Sequence, residues 1–280
     1  MPLSALRIIF LTLLSLAVAH TAAAQDDHPA PPAPIPVVVA GYEFEPYVTA
    51  SGGLTPDLVA FLNEAQATYR FEFLVIPAQR RYRMMETGKV DVLFFEMPRW
   101  GWAESGVAVE ATPVLMNDAE IFVARREQAS NPGFFETIAH HRIAAVRGFH
   151  YRFAGFEADS ATLTSKFDLQ LVDSQPAVMR LVEGGMAEVG IVARSFLIGE
   201  MLQRPALLNA ILVSPEVDQI FRLPALTRKD GPISAEALTA LLQQLHDDGR
   251  LPHFFATRGL GPLYVWPGDA DASPNGSPIP

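Results

Sequence analysis

Four short stretches of this 280-residue chain concentrate the side chains able to recognise or transform a small molecule. "GYEFEPY" supplies Tyr42, Phe44 and Tyr47, and "FFEMPRWGW" supplies Phe95, Glu96, Arg99 and Trp100. "VRGFHYRF" supplies Arg147, Phe149 and His150, and "IVARSF" supplies Arg194. Aromatic rings commonly floor ligand pockets, and a guanidinium group grips a carboxylate through two parallel hydrogen bonds. Provision for covalent chemistry is thin: there is no cysteine, no Gly-rich phosphate loop, no GxSxG and no HExxH. His140 and His141 are adjacent, a poor spacing for two metal ligands on one helix face, and read as surface residues. Met84 and Met85 lack any further Met-x-x-Met pattern and read as core. "RRYRMM" reads as a basic helix face, solvated or salt-bridged. No metal and no cofactor is expected.

These side chains must be positioned by the elements around them. "VVVAGYEFEPYV" opens with an apolar run that fits a buried strand ending at Gly41. In "LTPDLVAFLNEAQATY", Thr55 is placed to cap a helix, Pro56 to occupy its first position, and Leu58, Phe61, Leu62 and Ala65 to line one face. "RFEFLVIP" reads as a strand, "AQRRYRMMETG" as a helix ending at Gly88, and "VDVLFF" as a third strand. This β-α-β-α-β order predicts a parallel sheet. The middle of the chain repeats it: "RIAAVRG" and "SKFDLQLV" as strands, "SQPAVMRLVEGG" as a Ser-capped helix, and "EVGIVA" as a strand.

One phrase is written twice. "ETGKVDVLFF" begins at Glu86 and "EGGMAEVGIV" at Glu183, 97 residues later. Each ends a helix on Gly and turns into a buried strand whose first acid can stay wet at the sheet's rim, marking the same step in two α/β lobes. "EATPVLMNDAEIFVARRE" and "FRLPALTRKDG" flank the second lobe as two connecting strands, each with a Pro near one end. A terminal helix follows, with Ala237, Leu238, Leu241, Leu242 and Leu245 on its core face and Gly249 at its stop.

The ends have their own signatures. Residues 1–24 read as a secretory leader: Arg7, an apolar stretch from Ile8 to Val18, then small residues ending at Ala24. Residues 25–35 read as a Pro/Ala linker and 263–280 as a disordered tail. The absence of cysteine leaves an exported chain to rely on its core and rules out a lipid-modified cysteine anchor. A hydrophobic content of 49% supports that core, and a net charge of −10 disfavours a nucleic-acid partner.

In order and spacing, "YEFEPYV" with "GGLTPDLVAFLNEA", "RRYRMMETGKVDVLF", "EGGMAEVGIV" and "LTRKDG" with "LQQLHDDGRLPHFF" resemble the periplasmic solute-binding proteins of amino-acid ABC transporters, extracellular solute-binding protein family 3. The resemblance covers Pro36 to Leu260. It implies a type II periplasmic-binding fold of α/β class, with two lobes, each a mostly parallel sheet flanked by helices, joined by two hinge strands. Lobe one would comprise residues 36–116 and 222–262, and lobe two residues 117–221. The four chemical stretches would then border a cleft at the carboxyl ends of the strands.

The resemblance also implies a non-catalytic receptor that closes over a small-molecule ligand and delivers it to an inner-membrane permease or a sensor domain; the leader places it in the periplasm, and a monomer is the default expectation. Three departures bear on the ligand. Arg99 lies closer to its strand than the family's carboxylate-gripping Arg, and Phe149 and His150 follow Gly148 where the family has Thr or Ser. Ala193 stands where amino-acid binders carry an Asp for the ligand ammonium. An unpaired buried ammonium costs several kcal/mol, so an ordinary α-amino acid is disfavoured. Arg147 and Arg194, with Arg99, favour an anionic or neutral solute instead. Two alternatives stay open: a carrier whose aromatic pocket holds a larger, lipid-like molecule, and a dehydratase-type enzyme using Glu96 or His150 as its acid.

Overall fold

A computed structural model describes residues 32–129, 131 and 133–268. The leader, most of the linker and residues 269–280 of the tail lie outside the described residues. Ten strands run β1 Ile35–Gly41, β2 Tyr69–Val75, β3 Val92–Leu93, β4 Val109–Ala111 and β5 Met116–Arg125, then β6 Ile143–Val146, β7 Leu169–Val172, β8 Val189–Ala193, β9 Ile211–Leu223 and β10 Leu226–Arg228. The helices are α1 Leu54–Ala65, α2 Arg81–Glu86, α3 Trp102–Ser105, α4 Ser160–Lys166 and α5 Gln175–Glu183, followed by α6 Arg194–Gln203, α7 Leu207–Ala210, α8 Ala235–Asp247 and α9 Arg250–Ala256.

The strands form two five-stranded sheets, ordered β2-β1-β3-β10-β4 and β7-β6-β8-β5-β9. In the first, β1 pairs in parallel with β2 and β3; in the second, β6 pairs in parallel with β7 and β8. The late or connecting strands β10, β5 and β9 join antiparallel. Each sheet thus has a parallel βαβ heart, as the repeated phrase implies, and the architecture is the two-lobed α/β one.

The phrase marks a shared device. Gly88 and Gly185, each two residues after the Glu, take left-handed backbone angles (φ 68° and 71°) that a side chain disfavours. The acid that follows is not simply wet. Asp91 donates its amide to the Val38 carbonyl at 2.8 Å and takes the Val38 amide on its carboxylate at 3.0 Å. Glu188 does the same with Arg142, at 2.8 and 2.9 Å. In both lobes the acid therefore clamps the neighbouring strand, and Asp91 is buried, holding Arg228 at 2.7 Å as well.

The two connecting stretches each divide at their proline. Pro113 separates β4 from β5, and Pro224 separates β9 from β10, so each stretch contributes one strand to each sheet. The stretches stay paired across the break, through Thr112 N–H to Ala225 O at 2.9 Å and Leu115 N–H to Leu223 O at 3.0 Å.

Several local expectations give way to packing. α1 begins at Leu54 after Gly53, and Thr55 is buried inside it with its amide on Tyr47 O, so it caps nothing. Ser174 precedes α5 without a side-chain cap bond. The second helix opens as a 3₁₀ turn, Ala78–Arg80, before α2. Residues 263–266 do not belong to a tail. Tyr264 bridges Met116 and stacks on Phe255 at 4.6 Å, and Trp266 is buried with its indole N–H on Gln243 at 2.7 Å.

Candidate functional site

A cavity opens where the two sheets face each other across the connecting strands. From the first sheet's segments it is lined by Tyr42 and Phe44 after β1, Ala78 and Arg81 at the start of α2, and Trp100 after β3. From the second it is lined by Glu120 on β5, Gly148, Phe149 and His150 after β6, and Gln219 and Phe221 on β9. It leaves about 60 Å³ for the centres of water-sized molecules, several times what one water needs.

Four rings form an edge-to-face set around it. Phe44 meets Trp100, Phe149 and Phe221 with centroids 6.0, 5.5 and 6.0 Å away, and Trp100 meets Phe221 at 5.2 Å. Such tilted contacts fix ring orientation and add roughly 0.5–1.5 kcal/mol each beyond burial.

One wall is polar and already satisfied. Glu96 is buried; its carboxylate accepts from the Tyr42 hydroxyl at 2.9 Å and the Trp102 indole N–H at 3.0 Å, with Arg81 Nε 3.3 Å away. The Arg81 Nε–H is not aimed at that oxygen, so the contact is an ion pair without a formed hydrogen bond. Arg81 spends its other donors inside its own lobe. Nη1 donates to Ala78 O at 2.7 Å, and Nη2 to the Tyr82 hydroxyl at 2.6 Å and Trp100 O at 3.2 Å. Its guanidinium also lies 5.2 Å from the Tyr42 ring centre and 4.3 Å from that of Tyr82. Burial raises the Glu96 carboxyl against the opposing pull of Arg81.

The opposite wall is polar and unbalanced. Glu120 is buried in the cavity wall, and its one hydrogen bond among the described residues comes from Gln219 Nε2 at 2.6 Å. Gln219 Nε2 also donates to His150 O at 2.5 Å. Both partners are acceptors, so the amide nitrogen must face them, and Gln219 Oε1 is left buried without a donor. Burial holds the Glu120 carboxyl well above the usual carboxylate range, and the nearby Asp218 and Asp118 add to it. Burial and Arg81 together lower His150, which favours its neutral form.

Of the sequence-derived residues, Tyr42, Phe44, Trp100, Phe149 and His150 line the cavity. Tyr47, Phe95 and Glu96 stand behind it. Tyr47 donates to Asp118 at 2.8 Å and its ring lies 4.8 Å from Phe95, whose positive φ of 56° marks a forced turn. The three arginines do not line it. Arg99 is exposed and donates to Ile220 O at 2.8 Å, in a separate open groove beside Arg152 and Arg222. Arg152 likewise reaches β9, donating to Val217 O at 2.9 Å and to Asp218 O. Arg147 is exposed, 3.4 Å from Asp173 and bonded to Leu171 O, and Arg194 opens α6 away from the cavity lining. The charge on which an anionic ligand rested is therefore elsewhere.

Sequence reasoning passed over Arg81, Glu120, Gln219 and Phe221. Arg81 was hidden in a basic helix face. Glu120 had a visible signal, an acid two residues after Asp118 inside an otherwise apolar strand.

No family model and no characterised protein matches the chain by sequence. Solved structures do match. The substrate-binding protein of an ABC uptake transporter from Streptococcus pneumoniae, with bound histidine, superposes with a TM-score of 0.62 at 13% identity, covering 79% of this chain and 91% of that one. An ancestral arginine-binding protein bound to arginine gives 0.60 at 13% identity, covering 79% and 97%. A histidine kinase sensor domain similar to periplasmic binding proteins gives 0.58 at 18% identity, covering 80% and 95%. The fold shared with these chains is the type II periplasmic-binding fold.

Proposed function

We propose that this chain, built on the type II periplasmic-binding fold, is an exported solute-binding protein that shuts its lobes over a small molecule. It then offers that solute to an ABC-type permease or to the periplasmic domain of a sensor, two settings in which structures of this fold are found. The observation that supports this reading is the shared ownership of the cavity. Tyr42, Arg81 and Trp100 come from one sheet's segments, and Glu120, Phe149 and Gln219 from the other's. A guest held between them leaves only when the lobes part, and the paired breaks at Pro113 and Pro224 are the natural place to bend.

Selectivity by lining rather than by turnover agrees with the state of Glu96, whose two oxygens are taken by Tyr42 and Trp102 with Arg81 alongside. The small room argues against a lipid-like guest. An ordinary α-amino acid is also disfavoured, because both Nη2 hydrogens of Arg81 are taken and its two remaining N–H groups, on Nε and Nη1, do not form the parallel fork of a two-point carboxylate grip. Export follows from the leader over residues 1–24, and the working compartment is the periplasm. A monomer is the expected state.

Native mass spectrometry of protein from its own host, with small-angle X-ray scattering before and after solute removal, tests this. One small solute per chain, with a smaller radius of gyration when bound, is expected. A protein that carries nothing and whose dimensions no solute alters would refute the reading.

A further inference from the structure

The imbalance between the two polar walls bears on the ligand's charge. On the Arg81 side the charges are matched: the guanidinium is set against Glu96 and three neutral acceptors, although its Nε–H makes no hydrogen bond. On the other side, among the described residues, Glu120 has an amide partner only, and the buried Gln219 Oε1 has no donor. No basic side chain among the described residues reaches Glu120. The two acids nearest it do little to help. Asp118 is held by hydroxyl and amide donors, and Asp218 by the amides of Arg152 and Phe153. What the wall lacks is a donor, and preferably a positive one. The rings beside it, Phe44, Trp100, Phe149 and Phe221, carry negative faces that attract a cation desolvated among them.

Resting on the solute-binding reading, we propose that the cavity takes a small organic cation, a protonated amine or methylated ammonium, with Glu120 as its counter-charge and the aromatic set as its cage. Glu120 thereby supplies from β5 the carboxylate that Ala193 cannot supply from the end of β8. Gln219 fixes the orientation of Glu120 through the 2.6 Å hydrogen bond from its Nε2; a methylated guest relies on the charge of Glu120 and on the rings. Arg81 is not a rival for the role of anion grip, because its fork is committed within its own lobe.

The test is intrinsic fluorescence titration, for which Trp100 is a built-in reporter, backed by calorimetry. Probes are ethylammonium, tetramethylammonium, and the isosteric pair choline and 3,3-dimethylbutanol; acetate and alanine serve as the anionic and zwitterionic comparators. Saturable binding of at least one cation is expected. Choline should bind at least tenfold more tightly than its neutral isostere, and Glu120→Gln, which keeps the shape, should remove at least tenfold of the cation's affinity. The choline comparison uses only the parent protein, so it stands even if the variant folds poorly. Binding of acetate, alanine or the neutral alcohol in preference to every cation would overturn the ligand class while leaving the closing receptor intact. Silence towards all probes would likewise overturn the ligand class, and the receptor reading falls with it only if the protein also carries no solute from its host and no solute alters its radius of gyration.

Discussion

The Tyr47 hydroxyl donates a 2.8 Å hydrogen bond to Asp118 Oδ2, tying the loop after β1 in one sheet to strand β5 of the other. Ser195 adds its hydroxyl and its amide to the same carboxylate. A second tie runs from Gln175 Nε2 to the Glu45 carbonyl at 2.7 Å, while Gln175 Oε1 accepts the Ala193 amide. The aromatic loop is thus held from the far lobe at two points. Tyr47→Phe should lower stability by about 1–2 kcal/mol in urea unfolding, since Asp118 keeps its Ser195 donors. It should weaken solute binding several-fold by penalising the closed form.

Glu96 is the counter-charge of a buried guanidinium. Glu96→Ala leaves Arg81 charged, 8% exposed and without a carboxylate. A loss of about 3–5 kcal/mol is expected, measured by chemical denaturation. A loss below about 1 kcal/mol would mean that the pair holds nothing together.

Stability should also depend on pH through Glu120. Burial, with Asp218 and Asp118 close by, raises its carboxyl, so the folded state holds that proton more tightly than the unfolded chain does. Stability from such a group is complete below the unfolded value of about 4.3 and is lost as pH rises through the folded value. Glu120→Gln stays neutral throughout. Without solute, the melting temperature of the variant relative to the parent should therefore climb between pH 4.5 and pH 8, and parallel curves would contradict this.

Arg99 and Arg147 are exposed and lie outside the cavity. Replacing either with Ala should change solute affinity less than twofold and stability by about 0.5 kcal/mol or less. A tenfold loss of affinity for Arg147→Ala would restore the anionic ligand.

Gly190 in β8 lies under α5. A Cβ there would sit 2.7 Å from Val182 and 2.9 Å from Val178. Gly190→Ala should cost about 1–3 kcal/mol by overpacking, read from the unfolding midpoint.

Local patterns carried much of this architecture. The two Gly-then-strand steps depend on short-range rules, and Gly88, Gly185 and Gly249 adopt the left-handed angles their positions imply. The cavity's lining was legible where it follows a strand directly, as for Tyr42, Phe44 and Phe149. It was not legible for Arg81, because Arg80 and Arg83 beside it are exposed and nothing in the run of basic residues marks Arg81 as the buried one, just after the 3₁₀ turn at Ala78–Arg80. Nor was it legible for Glu120 and Gln219, which meet through β5–β9 pairing between residues 99 apart. The position of Arg99 outside the cavity has a related reason. Arg99 is drawn to the free carbonyls of β9 rather than to the cleft.

That attraction has an outcome beyond the single molecule. β9 is an outermost strand, and Val217, Asp218 and Ile220 offer carbonyls that no neighbouring strand among the described residues takes up. Unguarded, such a row invites strand-by-strand addition of further copies. With Arg99 and Arg152 already seated on it, an incoming backbone finds its acceptors taken and two positive charges in the way. Addition of a further strand at Val217, Asp218 and Ile220 is thereby blocked.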